Sequence, residues 1–226
     1  MPEPRHAVVT GCSSGIGQAI SRSLISDGWR VTGLSRTETA LGPSFAWKRV
    51  DLGDAADVAR VGTGLPSADA FVHAAGLQRT ARLGTLEPEA LQEMFAVHVG
   101  AASILADRLV PAMPDGARIV LIGSRTAAGA AGKSHYASTK AAVLGLGRSW
   151  AKELAPRGIT VNVVSPGPTD TPMLADPARV DVPPVVPPLG HLVDPEDVAA
   201  VVALLVGPHG RSITGQDYVI CAGASL

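Results

Sequence analysis

The N-terminal segment constrains the fold most. Ala7-Val8-Val9-Thr10 is apolar and β-branched enough for a short buried strand, and it runs directly into Gly11-Cys12-Ser13-Ser14-Gly15-Ile16-Gly17. Ile16, Ala19, Ile20, Leu24 and Ile25 then recur at helical spacing. A strand, a glycine-rich turn and an amphipathic helix in that order open a dinucleotide-binding fold. Gly11 permits the tight turn, Gly15 lets backbone approach a pyrophosphate, and Gly17 lets the helix close on the sheet. The first helical N–H groups, with Ser13, Ser14 and Ile16 around them, face the anion. The spacing is Thr-Gly-x-x-x-Gly-x-Gly, so the flanking strand and helix carry the inference more than the glycines do.

The remaining chain alternates in the same way. Candidate strands are Ala7 to Thr10, Arg30 to Ser35, Ala46 to Val50, Ala70 to His73, Arg118 to Ile122, Thr160 to Val164 and Gln216 to Ile220, with helices between them. Right-handed crossovers then give an α/β, Rossmann-like, doubly wound parallel sheet of about seven strands, with helices on both faces. The 226 residues suit one domain, and no repeat or low-complexity tract divides them. A formal net charge of −1 gives no broad attraction for nucleic acid or an anionic membrane. Cys12 and Cys221 are too few for a disulfide framework or a cysteine-based metal cluster, so no metal and a cytoplasmic setting are expected. Met1 to His6 enter the first strand without an apolar targeting core. The longest apolar run, Val198 to Val206, is far shorter than the roughly 20 residues that span a bilayer.

Tyr136 and Lys140 stand one helical turn apart at the head of a helical pattern through Leu154, so their side chains share a face. A phenol titrates near ~10, and bringing it to neutrality takes about 4 kcal/mol of preference for the phenolate. One ammonium at roughly 4 Å in an effective dielectric of about 20 supplies about that much. The pair can therefore serve as a general acid/base. Alone, such a pair is more often a packed tyrosine beside a solvated lysine.

Taken in order, the motifs resemble the short-chain dehydrogenases/reductases, over Val8 to Ser225. Thr10 to Gly17 matches that family's cofactor loop, Asp51-Leu52 its adenine-side acid, and Ala75-Gly76, after Ala74, the end of its fourth-strand motif. Ser124 matches its catalytic serine, Tyr136 and Lys140 its catalytic pair, and Asn162 to Gly167 with Thr171 its nicotinamide segment, which includes Pro166 and Thr169. The resemblance implies that Ser124 binds the substrate carbonyl, Tyr136 protonates it as hydride arrives, and Lys140 lowers the tyrosine's pKa and holds the ribose. It also implies a small-molecule carbonyl or alcohol substrate, 3-oxoacyl reductases being the visible likeness, and a homo-oligomer, dimer or tetramer. A short proline-rich lid is expected at about 166–190.

The chain departs from the family at two places. His73-Ala74-Ala75-Gly76 replaces Asn-Asn-Ala-Gly, losing the amide that braces the fourth strand. His98 aligns with the asparagine that holds a proton-relay water. It either takes over the relay, making activity more pH-dependent, or is a helix histidine bonded to backbone. At the end of the second strand, Ser35 stands where an acid would bind the ribose 2′-hydroxyl, and Arg36 offers a fork for a 2′-phosphate, so NADP(H) is preferred with NAD(H) possible. Arg125, Lys133 and His135 either attract an anionic or acyl-carrier substrate or simply face water. The competing function is a catalytically weak, cofactor-binding redox sensor or structural partner on the same fold.

Overall fold

The structure is a computed structural model describing residues 4–175 and 185–226. Seven parallel strands form one sheet in the order β3-β2-β1-β4-β5-β6-β7. They are β1 His6–Thr10, β2 Arg30–Ser35, β3 Phe45–Arg49, β4 Ala70–His73, β5 Arg118–Ile122, β6 Thr160–Pro166 and β7 Asp217–Ile220. The helices are α1 Gly15–Ser26, α2 Ala55–Thr63, α3 Pro88–Phe95, α4 Ala101–Leu109, α5 Ser134–Leu154 and α6 Pro195–Val206. All seven expected strands are present, with ends displaced by at most a residue or two. The order reverses between β1 and β4, which opens a crevice at the strands' carboxyl ends.

The continuous apolar strands follow from burial on both faces. In β1, Val8 joins a core with Val58 and Val61 of α2, Leu105 of α4 and Val143 of α5. Its neighbours Ala7 and Val9 join the opposite core with Ile20 and Leu24 of α1 and Val198 and Val202 of α6. Fully burying a side chain such as Phe71, Ile20 or Leu105 is worth about 1.5–3 kcal/mol. α6 starts where Asp194 accepts the Glu196 N–H, with Pro195 in the first turn, and stops at Gly207.

Two features were not foreseen. α3 and α4 are joined by a π-helical stretch, Ala96–Gly100, into one helical run from Pro88 to Ala112. Among the described residues this run is the one helix long and apolar enough to cross a membrane, whereas Val198 to Val206 lies within α6. Met94, Ala101, Leu105 and Leu109 on it are buried, and it packs along α2 and α5 as a core helix. The second feature is Gly33 in β2, where an added Cβ would lie within 2.6 Å of both Cys12 Sγ and the Phe45 ring. Gly33→Ala should therefore cost about 1–3 kcal/mol by overpacking. At roughly 2–4 °C per kcal/mol, thermal unfolding should read a fall of several degrees, and an unchanged Tm would show that Cys12 and Phe45 yield freely.

Candidate active site

The crevice is organised by the hydroxyl of Thr10 at the end of β1. Its oxygen accepts the N–H groups of Ala74 and Ala75, each at 3.0 Å, and faces His73 Nδ1 at 3.1 Å. His73 Nε2 lies 3.0 Å from the Val97 carbonyl, which can only accept, so Nε2 carries the proton and Nδ1 accepts from Thr10. Burial, and secondarily the charge of Lys140, push the His73 pKa down to about 3, so the ring is neutral. This corrects the expectation of an unbraced fourth strand, because His73 ties β4 to β1 and to the π-helical stretch.

Across the crevice the glycine loop fits a pyrophosphate. Gly11 has φ +70°, and a Cβ there would approach Ala75 Cα to 2.8 Å, so only glycine allows the loop to lie against β4's exit. α1 begins at an extended Ser14 with no side-chain cap and no acid in its first turn, leaving its N–H groups to an anion. Gly15 packs toward the Thr171 methyl, where a Cβ would come within 3.1 Å, and this brings the segment after β6 over the loop.

The end of β2 is used differently from the expectation. Ser35 Oγ donates to the Thr37 carbonyl at 2.7 Å and accepts from Trp47 Nε1 at 3.0 Å and Cys12 Sγ at 3.4 Å. Its hydroxyl is consumed in holding the turn, and the exposed Arg36 follows it, with the exposed Arg49 of β3 paired in register with Ser35. Asp51 is exposed and accepts the Gly53 N–H at 2.9 Å, while Leu52 is buried.

Ser124, Tyr136 and Lys140 line one cavity of about 260 Å³ together with Ile16, Ala74, Gly76, Pro166, Gly167, Thr169 and Thr171. Ser124 lies two residues beyond β5 and accepts the Thr126 N–H at 3.1 Å, capping the short helical turn Arg125–Ala128. Tyr136 sits in the first turn of α5 and is 9% exposed. Lys140 is buried, its ammonium donating to the Ile122 carbonyl at 2.8 Å and lying 5.8 Å from the Tyr136 ring centroid. Burial pushes the Lys140 pKa down to about 7, because a cation loses water there and gains one carbonyl. A buried ammonium with so little compensation suits hydroxyl-rich or anionic ligand atoms.

His98 lies in the π-helical stretch and does not have the surroundings of a water-holding group. The Leu77 N–H donates to Nε2 at 3.0 Å, so Nδ1 carries the proton and donates to Thr139 Oγ1 at 2.8 Å. Thr139 in turn donates to the Tyr136 carbonyl at 2.9 Å. Both ring nitrogens are filled by protein, and burial, then Lys140 and His73, hold the pKa well below the ordinary value. Of the two readings the sequence left open, these contacts agree with a helix histidine bonded to the protein and not with a group that titrates near neutrality. His98 meets the Tyr136 ring edge-on with centroids 5.7 Å apart, so its contact with Tyr136 is one of packing and support.

Residues 11–225 match the family described as enoyl-(acyl carrier protein) reductase. The chain is 34% identical over 246 residues to the 2,3-dihydro-2,3-dihydroxybenzoate dehydrogenase of Escherichia coli K12, covering 98% of this chain and 97% of that protein. It is 31% identical over 238 residues to the 3-oxoacyl-acyl-carrier-protein reductase FabG of Salmonella typhimurium, with 98% and 97% covered. A short-chain dehydrogenase from Burkholderia cenocepacia, solved in complex with NADP, superposes with a TM-score of 0.87 at 34% identity, covering 98% of each chain. The chain belongs to the short-chain dehydrogenase/reductase family. Like its family it is an NAD(P)-dependent oxidoreductase acting on CH–OH or carbonyl groups.

As a short-chain dehydrogenase/reductase the protein also shows lining residues that the motifs did not single out. Gln78 follows the fourth-strand motif, Thr126, Ala130 and Ala131 precede Tyr136, and Met173 and Leu174 follow Thr171. Position just downstream of each motif was the available signal. Of the expected lid, residues 176–184 with Pro183-Pro184 lie outside the described residues. Its return is anchored where Leu189 N donates to the Ala222 carbonyl at 3.1 Å, and Val185 reaches the cavity.

The buried neutral histidines set an acid response. Unfolded histidine binds a proton near 6.5, whereas folded His73 stays neutral until about 3. The unfolded state thus binds more protons between those values, so stability is complete above about pH 6.5 and falls as pH drops, at up to about 1.4 kcal/mol per pH unit for this group. His73→Asn should flatten the pH dependence of the denaturant midpoint between pH 7 and 5, even if it lowers stability at pH 7. Equal slopes for both proteins would show that His73 titrates normally.

Proposed function

We propose that the protein reduces a ketone or 3-oxoacyl-type carbonyl to a secondary alcohol with NADPH, or runs the reverse oxidation, with Tyr136 as general acid/base. The observation that carries this reading is the convergence of Ser124, Tyr136 and a buried Lys140 in one cavity beside the glycine loop. The carbonyl carbon takes a hydride from the reduced nicotinamide, and its oxygen takes one proton from Tyr136. Ser124 already accepts a backbone N–H, so its own proton is the one it can give to the carbonyl oxygen. Donors fixed where charge develops stabilise the transition state more than the bound ketone. Lys140 favours the phenolate and binds ribose hydroxyls, and His98 with Thr139 holds the turn that carries Tyr136.

NADP(H) is the favoured cofactor. Arg36 directly follows β2, whose last residue is Ser35 rather than an acid, and the Burkholderia relative was solved with NADP. The name of the Salmonella relative supports a 3-oxoacyl-type substrate. The alternative, a sensor or structural partner, leaves the cost of burying Lys140 next to Tyr136 without a purpose. Self-association would use Ala141, Leu144 and Trp150 of α5, since Ala137 and Val143 on that helix are buried in the subunit itself. With a panel of 3-oxo esters, NADPH should be oxidised in preference to NADH. Tyr136→Phe should lower kcat by about 10²-fold or more while leaving NADPH binding, read by fluorescence, within a few-fold of the parent. Full turnover by the variant would refute the proposal.

A further inference from the structure

The catalytic cavity has a neighbour. Gln78 and Lys133 line both it and a second cleft, which is framed by the segment after β4 and the residues opening α5. Ala81 N donates to the Gly132 carbonyl at 3.1 Å, which fixes the two walls to each other. A turn follows in which both the backbone N–H and the hydroxyl of Thr85 bond the Arg82 carbonyl at 3.0 Å, so the base of Arg82 is held in place.

The cleft is basic although the chain as a whole carries a formal charge of −1. Arg79, Arg82 and Lys133 line it with the imidazole of His135, against Glu87 as the one acid in the lining. Arg79 is paired with Glu93 at 3.0 Å, whereas Arg82 has no ion-pair partner among the described residues. Arg125 adds a further cation on the catalytic side. A cleft lined mainly by one sign of charge concentrates ligands of the opposite sign.

We infer that this cleft is the subsite for an anionic end, carboxylate or phosphate, of a substrate whose carbonyl lies at Ser124 and Tyr136. Arg82 is the specificity-determining residue, with His135 and Lys133 beside it. The inference rests on the carbonyl-reducing role of Ser124, Tyr136 and Lys140, and it adds the chemistry of the substrate's far end.

The test is a ladder of methyl ketones, levulinate and its longer homologues, each assayed with NADPH against its own methyl ester and its phosphonate counterpart. At one chain length the acid should exceed the ester in kcat/KM by about tenfold or more, mostly through KM, and the ratio should shrink with added salt. Arg82→Gln should collapse the acid-to-ester ratio toward one, and Arg82→Glu should invert it. A phosphonate better than the carboxylate would identify the anion as phosphate, and the reverse as carboxylate. Esters reduced as well as acids at every length would overturn the subsite while leaving the carbonyl chemistry intact. No turnover of any ketone or ester would overturn the underlying reading and the subsite with it.

Discussion

Everything at this crevice depends on where Lys140 puts its charge. The side chain leaves α5, passes under Tyr136 and ends on the last carbonyl of β5, Ile122, with almost no access to water. One carbonyl offsets only part of the desolvation, which is why the pKa falls to about 7. The simple estimate of a full ammonium tuning a phenol therefore overstates the interaction in the isolated chain. Ligand oxygens beside the lysine would restore its charge, linking cofactor binding to the acidity of Tyr136.

The two histidines belong to the same electrostatic arrangement. His73 and His98 both feel Lys140, and both are held neutral by burial first and by that charge second. Three proton-binding groups in one dry region cannot all be charged, and the lysine, with the highest ordinary pKa, keeps what charge there is. The histidines are thereby released for geometry. His73 joins β1, β4 and the π-helical stretch through Thr10 and Val97, and His98 joins Leu77 to the Tyr136 turn through Thr139. The π-helical stretch matters for this reason, since it carries both Val97 and His98 to the crevice.

Much of this was legible in the sequence. Burial on both faces makes parallel strands continuous apolar runs, and the glycine loop sets the first crossover, so all seven strands could be placed. Tyr136 and Lys140 could be placed on one face through their spacing, because one helical turn is a local structure, whereas Ser124 was singled out only by the family resemblance. What could not be read was pairing across the chain. Ser35 looked like a ligand for the ribose, but Trp47 and Cys12 arrive from separate elements and take its hydroxyl. His73 looked like a lost brace, and His98 could be read as a relay or as a bonded helix histidine, because tautomer and partners are decided by Val97, Leu77 and Thr139, which no motif names. The π-helical stretch was likewise invisible, since its residues read as ordinary helix.

Chemical rescue of Lys140→Ala tests the central claim most directly. The variant should lose about 10²-fold or more in NADPH-dependent reduction. A small primary alkylammonium should restore part of that loss with saturation, by entering the slot between the Ile122 carbonyl and Tyr136. Activity near that of the parent without amine, or a loss that no amine relieves although NADPH still binds, would contradict the account.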